Sequence, residues 1–212
     1  MCTVTVVPIA APHGNATHAR SRSVRIACNR DELRTRPIAL PPRMQSFGPR
    51  RAILPIDPAS GGTWIALSDA GLLLTVLNVN VNVNNGVRRN AIRPGELRSR
   101  GTIIPELLAL DSLDAIAAAA ATLSPSRYPP FRLLIIDQTR IGDLYSDGDQ
   151  LRYKQTAIDA MPHFYTSSGL GDSLVDAPRR ELFERSFSPP LSSPTATQDA
   201  FHRHSWPDRR HL

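Results

Sequence analysis

The chain has 212 residues, 41% of them hydrophobic, which suits one packed domain or one domain with a tail and is ordinary for a soluble globular protein. The net charge of +6 and pI near 10.1 raise a nucleic-acid partner, but all but Lys154 of the 25 basic residues are arginines. They are scattered among acids with no basic stripe interleaved with aromatics, so no nucleic acid is expected as a partner.

Strand patterns come first. Residues 3–7 alternate and 23–29 alternate again, with Val24, Ile26 and Cys28 on one face and Arg25, Ala27 and Asn29 on the other. These read as neighbouring strands joined by a polar connection over 8–22. The apolar run at 4–11 lacks a basic leader and is broken by Pro8, so it is no signal peptide. The proline-rich stretch 37–49 predicts an extended surface wrap. Residues 52–56, 63–67 and 72–83 are further strand candidates, with turns at Gly61-Gly62 and Asp69-Ala70-Gly71. The asparagine–valine run at 78–85 reads as a half-buried edge, or as a strand running out into a loop.

Helices occupy the middle. Ser99 is placed to cap a helix whose Ile103, Ile104, Leu107 and Leu108 form one apolar face, and Asp111 or Ser112 to cap the alanine-rich segment 113–123. Strand patterns return at 131–137, 141–145 and 150–156, with Asp147-Gly148 as a hairpin turn. Asp176 and Pro178 predict the start of a third helix carrying Leu182, Phe183 and Phe187. Strands and helices are grouped rather than alternating, which favours a layered α+β fold. Residues 1–187 read as the domain, and 188–212 as a solvated proline- and serine-rich tail or the truncated end of that domain. No apolar stretch reaches the ~18 residues of a membrane span. With only two cysteines and no disulfide framework, a reduced cytoplasmic chain is the expectation. His202, His204 and His211 lie in the tail without thiols or carboxylates at helpful spacing, so no metal site is expected.

The chemistry concentrates at two places. Cys2 follows the initiator methionine, and removal of Met1 would leave one residue carrying an α-amine and a thiol. An unperturbed α-amine titrates at roughly 7.7–8.0 and a thiol at about 8.5, so the amine is able to take the thiol proton near neutrality. Cys28-Asn29-Arg30-Asp31-Glu32 closes the second strand, where a plain solvated turn is the alternative. Beside the first strand, Arg30 would favour thiolate and Asp31 would orient the amine through a charge-assisted hydrogen bond. Asn29 and Glu32 are candidate binding residues flanking that pair. Acyl transfer also needs oxyanion donors, for which Asn78 at the end of the 72–77 strand is the side-chain candidate. Cys28 shares the side of Val24 and Ile26 and reads as packing.

Met-Cys-Thr-Val-Thr at the start, the Cys28–Glu32 run and Gly61-Gly62-Thr63-Trp64-Ile65 together resemble the NRDE family, also called the transport and Golgi organisation protein 2 family. Leu77-Asn78, Ser99-Arg100-Gly101, Thr166-Ser167-Ser168 and the following Arg-Arg-Glu-Leu-Phe extend the likeness to about Phe187. The resemblance implies an N-terminal-nucleophile hydrolase-like fold, an αββα sandwich of two antiparallel sheets between helical layers. The start of the chain is also similar to the bile-salt and penicillin V acylases of that fold, which implies Cys2 as nucleophile, Arg30 as its charge partner and Asp31, or Glu32 in its place, as the amine-orienting group. Similar bacterial proteins continue past 202–206 into further strand-forming sequence, so a truncated or replaced C-terminus is expected here.

Two functions follow as expectations. One is a cysteine amidohydrolase without a cofactor that cleaves a small-molecule amide through an acyl-enzyme on Cys2. The other is a non-enzymatic carrier of a hydrophobic ligand, haem or lipid, on the same fold. A catalytically silent structural fragment is a third. The sequence names no substrate.

Overall fold

The computed structural model describes residues 2–9, 23–30, 35–79, 97–167, 172–188 and 193–206, with backbone only for 172–174. The first strands in chain order are β1 (Cys2–Ile9), β2 (Ser23–Arg30), β3 (Leu40–Phe47), β4 (Arg50–Ile56), β5 (Ile65–Ser68) and β6 (Leu73–Asn78). Helices α1 (Ile103–Leu107) and α2 (Leu113–Ala121) follow, then β7 (Phe131–Ile136), β8 (Arg140–Ser146), β9 (Leu151–Ala157) and β10 (His163–Ser167). Helices α3 (Asp172–Ser186) and α4 (Pro194–His202) come last. The strands form two antiparallel sheets, β10-β1-β2 and β3-β4-β5-β6-β7-β8-β9, so the chain is α+β. No helix among the described residues is long and apolar enough to cross a membrane.

The chain divides into a unit of residues 32–156 and a unit of residues 1–31 with 157–212. In the first of these, alternation along the strands puts Leu54, Leu74, Val76, Leu133, Ile135 and Leu144 on one face of the seven-stranded sheet. That face packs against Ile103, Ile104 and Leu107 of α1 and Leu113, Ile116 and Ala120 of α2. Ser112 caps α2 as expected, its hydroxyl accepting from the Ala115 amide at 3.2 Å. Ser99 caps instead a short 3₁₀ turn that leads into α1, accepting from the Gly101 amide.

In the other unit β1 is the central strand and is buried on both faces: Val4 and Val6 on one, Thr5 and Val7 on the other, are each 0% exposed. Helices α3 and α4 cover the Thr3, Thr5 and Val7 face. Arg179 of α3 donates Nη1 to the hydroxyls of Thr3 (2.8 Å) and Thr166 (3.1 Å), tying the two neighbouring strands together from behind. Phe164, Phe183, Phe187 and Phe201 form an aromatic cluster on the same side, with Phe164 and Phe183 stacked at 5.1 Å.

Three expectations need correction. The proline-rich stretch 37–49 is extended and largely exposed as expected, but it is part of the sheet rather than a wrap, since it contains the edge strand β3, paired with β4. Pro41 and Pro42 sit where the register slips between Leu40 and Arg43, at an edge where a missing N–H is tolerated. Helix α3 begins at Asp172, ahead of the Asp176 start, and carries Pro178 inside it. Burial of Val175 and Arg179 on either side holds a turn that proline alone disfavours. Residues 194–202 are no solvated tail: they are helix α4, with Gln198 and Phe201 buried against β1 and β2.

Candidate active site

Pairing within the three-stranded sheet builds the site. Cys2 is opposite Arg30 on β2 and opposite Ser167 on β10. Directly opposed residues in an antiparallel pair point to the same face, with Cβ atoms about 4.5–5.5 Å apart. Cys2 therefore lies between a guanidinium-bearing residue and a hydroxyl-bearing one, on the face away from α3 and α4. Cys2 is 6% exposed, Ser167 2% exposed and Arg30 half-buried. The backbone of Cys2 is fixed from the helix side, where the Thr166 hydroxyl donates to its carbonyl at 3.3 Å.

The same face continues through Val4 and Val6 of β1, Cys28 and Ile26 of β2, and Tyr165 and His163 of β10. Cys28 is opposite Val4 and so is offset diagonally from Cys2. The strands are neighbours, as a disulfide would require, but the register is wrong for one, and both cysteines are thiols. Burial holds the His163 imidazole below its usual range, with Asp159 opposing, and its Nε2 has no hydrogen-bond partner among the described residues.

The remaining sequence candidates fall into three cases. Asn29 faces α4, with its Nδ2 donating to the His202 carbonyl (2.8 Å) and its Oδ1 3.0 Å from His202 Nδ1. Its side chain thus serves the helix contact on the face away from Cys2. Asp31 and Glu32 lie outside the described residues. Asn78 ends β6 in the unit of residues 32–156, opposite Phe131 and half-buried. Alternation puts it on the face of Leu74 and Val76 that α1 and α2 cover. The arrangement thus brings Cys2 and Arg30 together and adds Ser167, which the sequence reading met only inside the Thr166-Ser167-Ser168 motif and gave no role in the site. The signal was the β-favouring run His163-Phe164-Tyr165-Thr166-Ser167, with its aromatic and β-branched residues, a strand that a short segment before a helix conceals. Among the described residues no three His, Cys, Asp or Glu side chains gather to hold a metal ion.

The family model for Transport and Golgi organisation 2 matches residues 14–198. The chain belongs to that family. The Transport and Golgi organisation 2 match takes in Arg30, Asn78 and Ser167 and begins beyond β1. Among solved structures, the penicillin V acylase from Agrobacterium tumefaciens is similar at 12% sequence identity and a TM-score of 0.42, covering 100% of this chain and 68% of that one. No curated protein matches the chain.

Proposed function

We propose that this member of the Transport and Golgi organisation 2 family is a cysteine hydrolase of the N-terminal-nucleophile type, cleaving an amide carbon–nitrogen bond. The observation that carries the reading is the pairing of Cys2, at the head of a central buried strand, with Arg30 directly across from it. A cation beside a thiol favours thiolate.

With Met1 removed, the chemistry balances within one residue. The α-amine of Cys2 takes the thiol proton as Sγ bonds to the amide carbon. The same amine then protonates the nitrogen as the carbon–nitrogen bond breaks, leaving a thioester and a free amine. Water attacks the thioester, releasing a carboxylic acid and restoring the thiol. The amine-orienting carboxylate in this scheme is Asp31 or Glu32.

The test is intact mass and peptide mapping after brief treatment with limiting iodoacetamide near neutral pH. Met1 should be absent, and Cys2 should alkylate much faster than Cys28 and than a model thiol. Arg30→Ala should slow Cys2 without slowing Cys28, and Cys2→Ala should abolish turnover of any amide that proves to be a substrate. Retained Met1, or a Cys2 no more reactive than Cys28, defeats the proposal. If in that case titration with haem produced an absorption band lost on replacing one cysteine or histidine, the carrier reading would take its place.

A further inference from the structure

Ser167, opposite Cys2, has a side-chain hydroxyl with no hydrogen-bond partner among the described residues. Its neighbour Thr166 is fully engaged: the hydroxyl contacts Thr3 and Arg179 and donates to the Cys2 carbonyl. Thr5 is held by Gln198 and His202. Those groups face the helices. Ser167 points the other way, is 2% exposed, and its Oγ finds no hydrogen-bond partner among the described residues. A buried hydroxyl without a partner is destabilising, so a fold that keeps one beside a thiol is holding it for something that arrives.

We propose that Ser167 is a catalytic residue, its hydroxyl donating a hydrogen bond to the substrate's carbonyl oxygen as Cys2 attacks; the proposal rests on the acyl-transfer reading above. The geometry suits this role. Cross-strand partners with Cβ atoms about 4.5–5.5 Å apart leave room for a carbonyl joined to Sγ to bring its oxygen to the hydroxyl of the opposing residue. Arg30 occupies the other flank of Cys2, so the guanidinium and the hydroxyl lie on opposite sides of the attacked group. Serine's hydroxyl rotates freely and carries one donor, which suits an oxygen that becomes negative only during reaction. As Sγ bonds to the carbonyl carbon, the carbonyl electron pair moves to that oxygen and the Ser167 O–H meets it. The pair returns when the leaving group departs, and Ser167 itself is neither consumed nor ionised.

Two reagents separate this role from a general effect on the thiol. Iodoacetamide alkylates Sγ by displacement and develops no oxyanion, whereas p-nitrophenyl acetate acylates Sγ through a tetrahedral oxyanion. Acetylation of Cys2, followed by peptide mass and nitrophenolate release, should fall about 10²-fold in Ser167→Ala while iodoacetamide alkylation keeps its rate. Ser167→Thr, which retains the hydroxyl, should restore acetylation. Because the hydroxyl has no hydrogen-bond partner among the described residues, Ser167→Ala should unfold at no lower temperature than the parent. Equal acetylation in the alanine variant, a parallel fall in both reactions, or a variant that does not fold would each overturn the role of Ser167. A parent protein whose Cys2 alkylates no faster than Cys28 would instead overturn the hydrolase reading, before Ser167 is touched.

Discussion

At Gly62 the chain leaves no room for a methyl group. A Cβ built there would fall 2.4 Å from the carbonyl carbon and oxygen of Gly101, backbone atoms that no side-chain rotation can move aside. The two strands of chain are also bonded, Thr63 N donating to the Gly101 carbonyl at 2.9 Å. Gly62→Ala should therefore destabilise the protein by about 1–3 kcal/mol or more, read as a shift in the denaturant midpoint. The Gly71 position is the control for space, since nothing lies within 4 Å of a Cβ there and only its φ of +74° opposes substitution. Sequence reasoning saw Gly61-Gly62 as a turn, and Gly61, at φ +67°, is one. The demand on Gly62 was not legible, because it comes from a glycine in a separate motif about forty residues on. Arg30 shows the opposite case. Its place beside the start of β1 was legible from two alternating runs read as neighbouring strands, and the pairing supplies the register that sets it opposite Cys2.

Helix α4 was the element least legible beforehand. A proline- and serine-rich composition pointed to solvent, and only the tertiary partners of Gln198, Phe201 and His202 turn it into a docked helix. The polar contact runs in one direction. Gln198 Nε2 donates to the Thr5 hydroxyl (2.8 Å), which donates to His202 Nε2 (2.7 Å), and His202 Nδ1–H donates to Asn29 Oδ1 (3.0 Å). A neutral imidazole protonated at Nδ1 completes that chain. Burial first, then the nearby Arg25 guanidinium, lower the His202 pKa to about 4 from 6.5, with Asp199 opposing. The unfolded chain thus takes up a proton at His202 near 6.5 and the folded chain only near 4. The contribution of this contact is fully present above about 6.5 and is lost as pH falls through that window towards 4. Stability measured against pH should decline across it in the parent and decline less in His202→Gln, the residual slope coming from His163, which burial shifts in the same direction. Parallel curves for the two proteins would show that His202 does not carry the acid sensitivity.

On the scale of the chain, the unit that holds Cys2 is assembled from both ends of the sequence. β1 and β2 come from the start; β10, α3 and α4 come from the end. The α+β class was legible because grouped strand and helix patterns are local. The pairing of Cys2 with Ser167 was not, because nothing near either residue encodes a partner at the other end of the chain. This organisation makes helix α4 a structural requirement. Phe201 packs edge-on against Phe164, Phe183 and Phe187, and Arg25 of β2 reaches Thr195, Gln198 and Asp199 of α4. Ending the chain after Ser188 removes one side of every one of these contacts. Loss of a buried phenylalanine alone costs about 3–5 kcal/mol, and the hydrogen bonds that Gln198 and His202 make to Thr5 are lost with the helix. The shortened protein should unfold at markedly lower denaturant, bind an apolar dye at its uncovered phenylalanines, and show faster amide exchange in β1, β2 and β10. An unchanged midpoint, with exchange in those strands unaltered, would mean that α4 lies on the sheet without holding it.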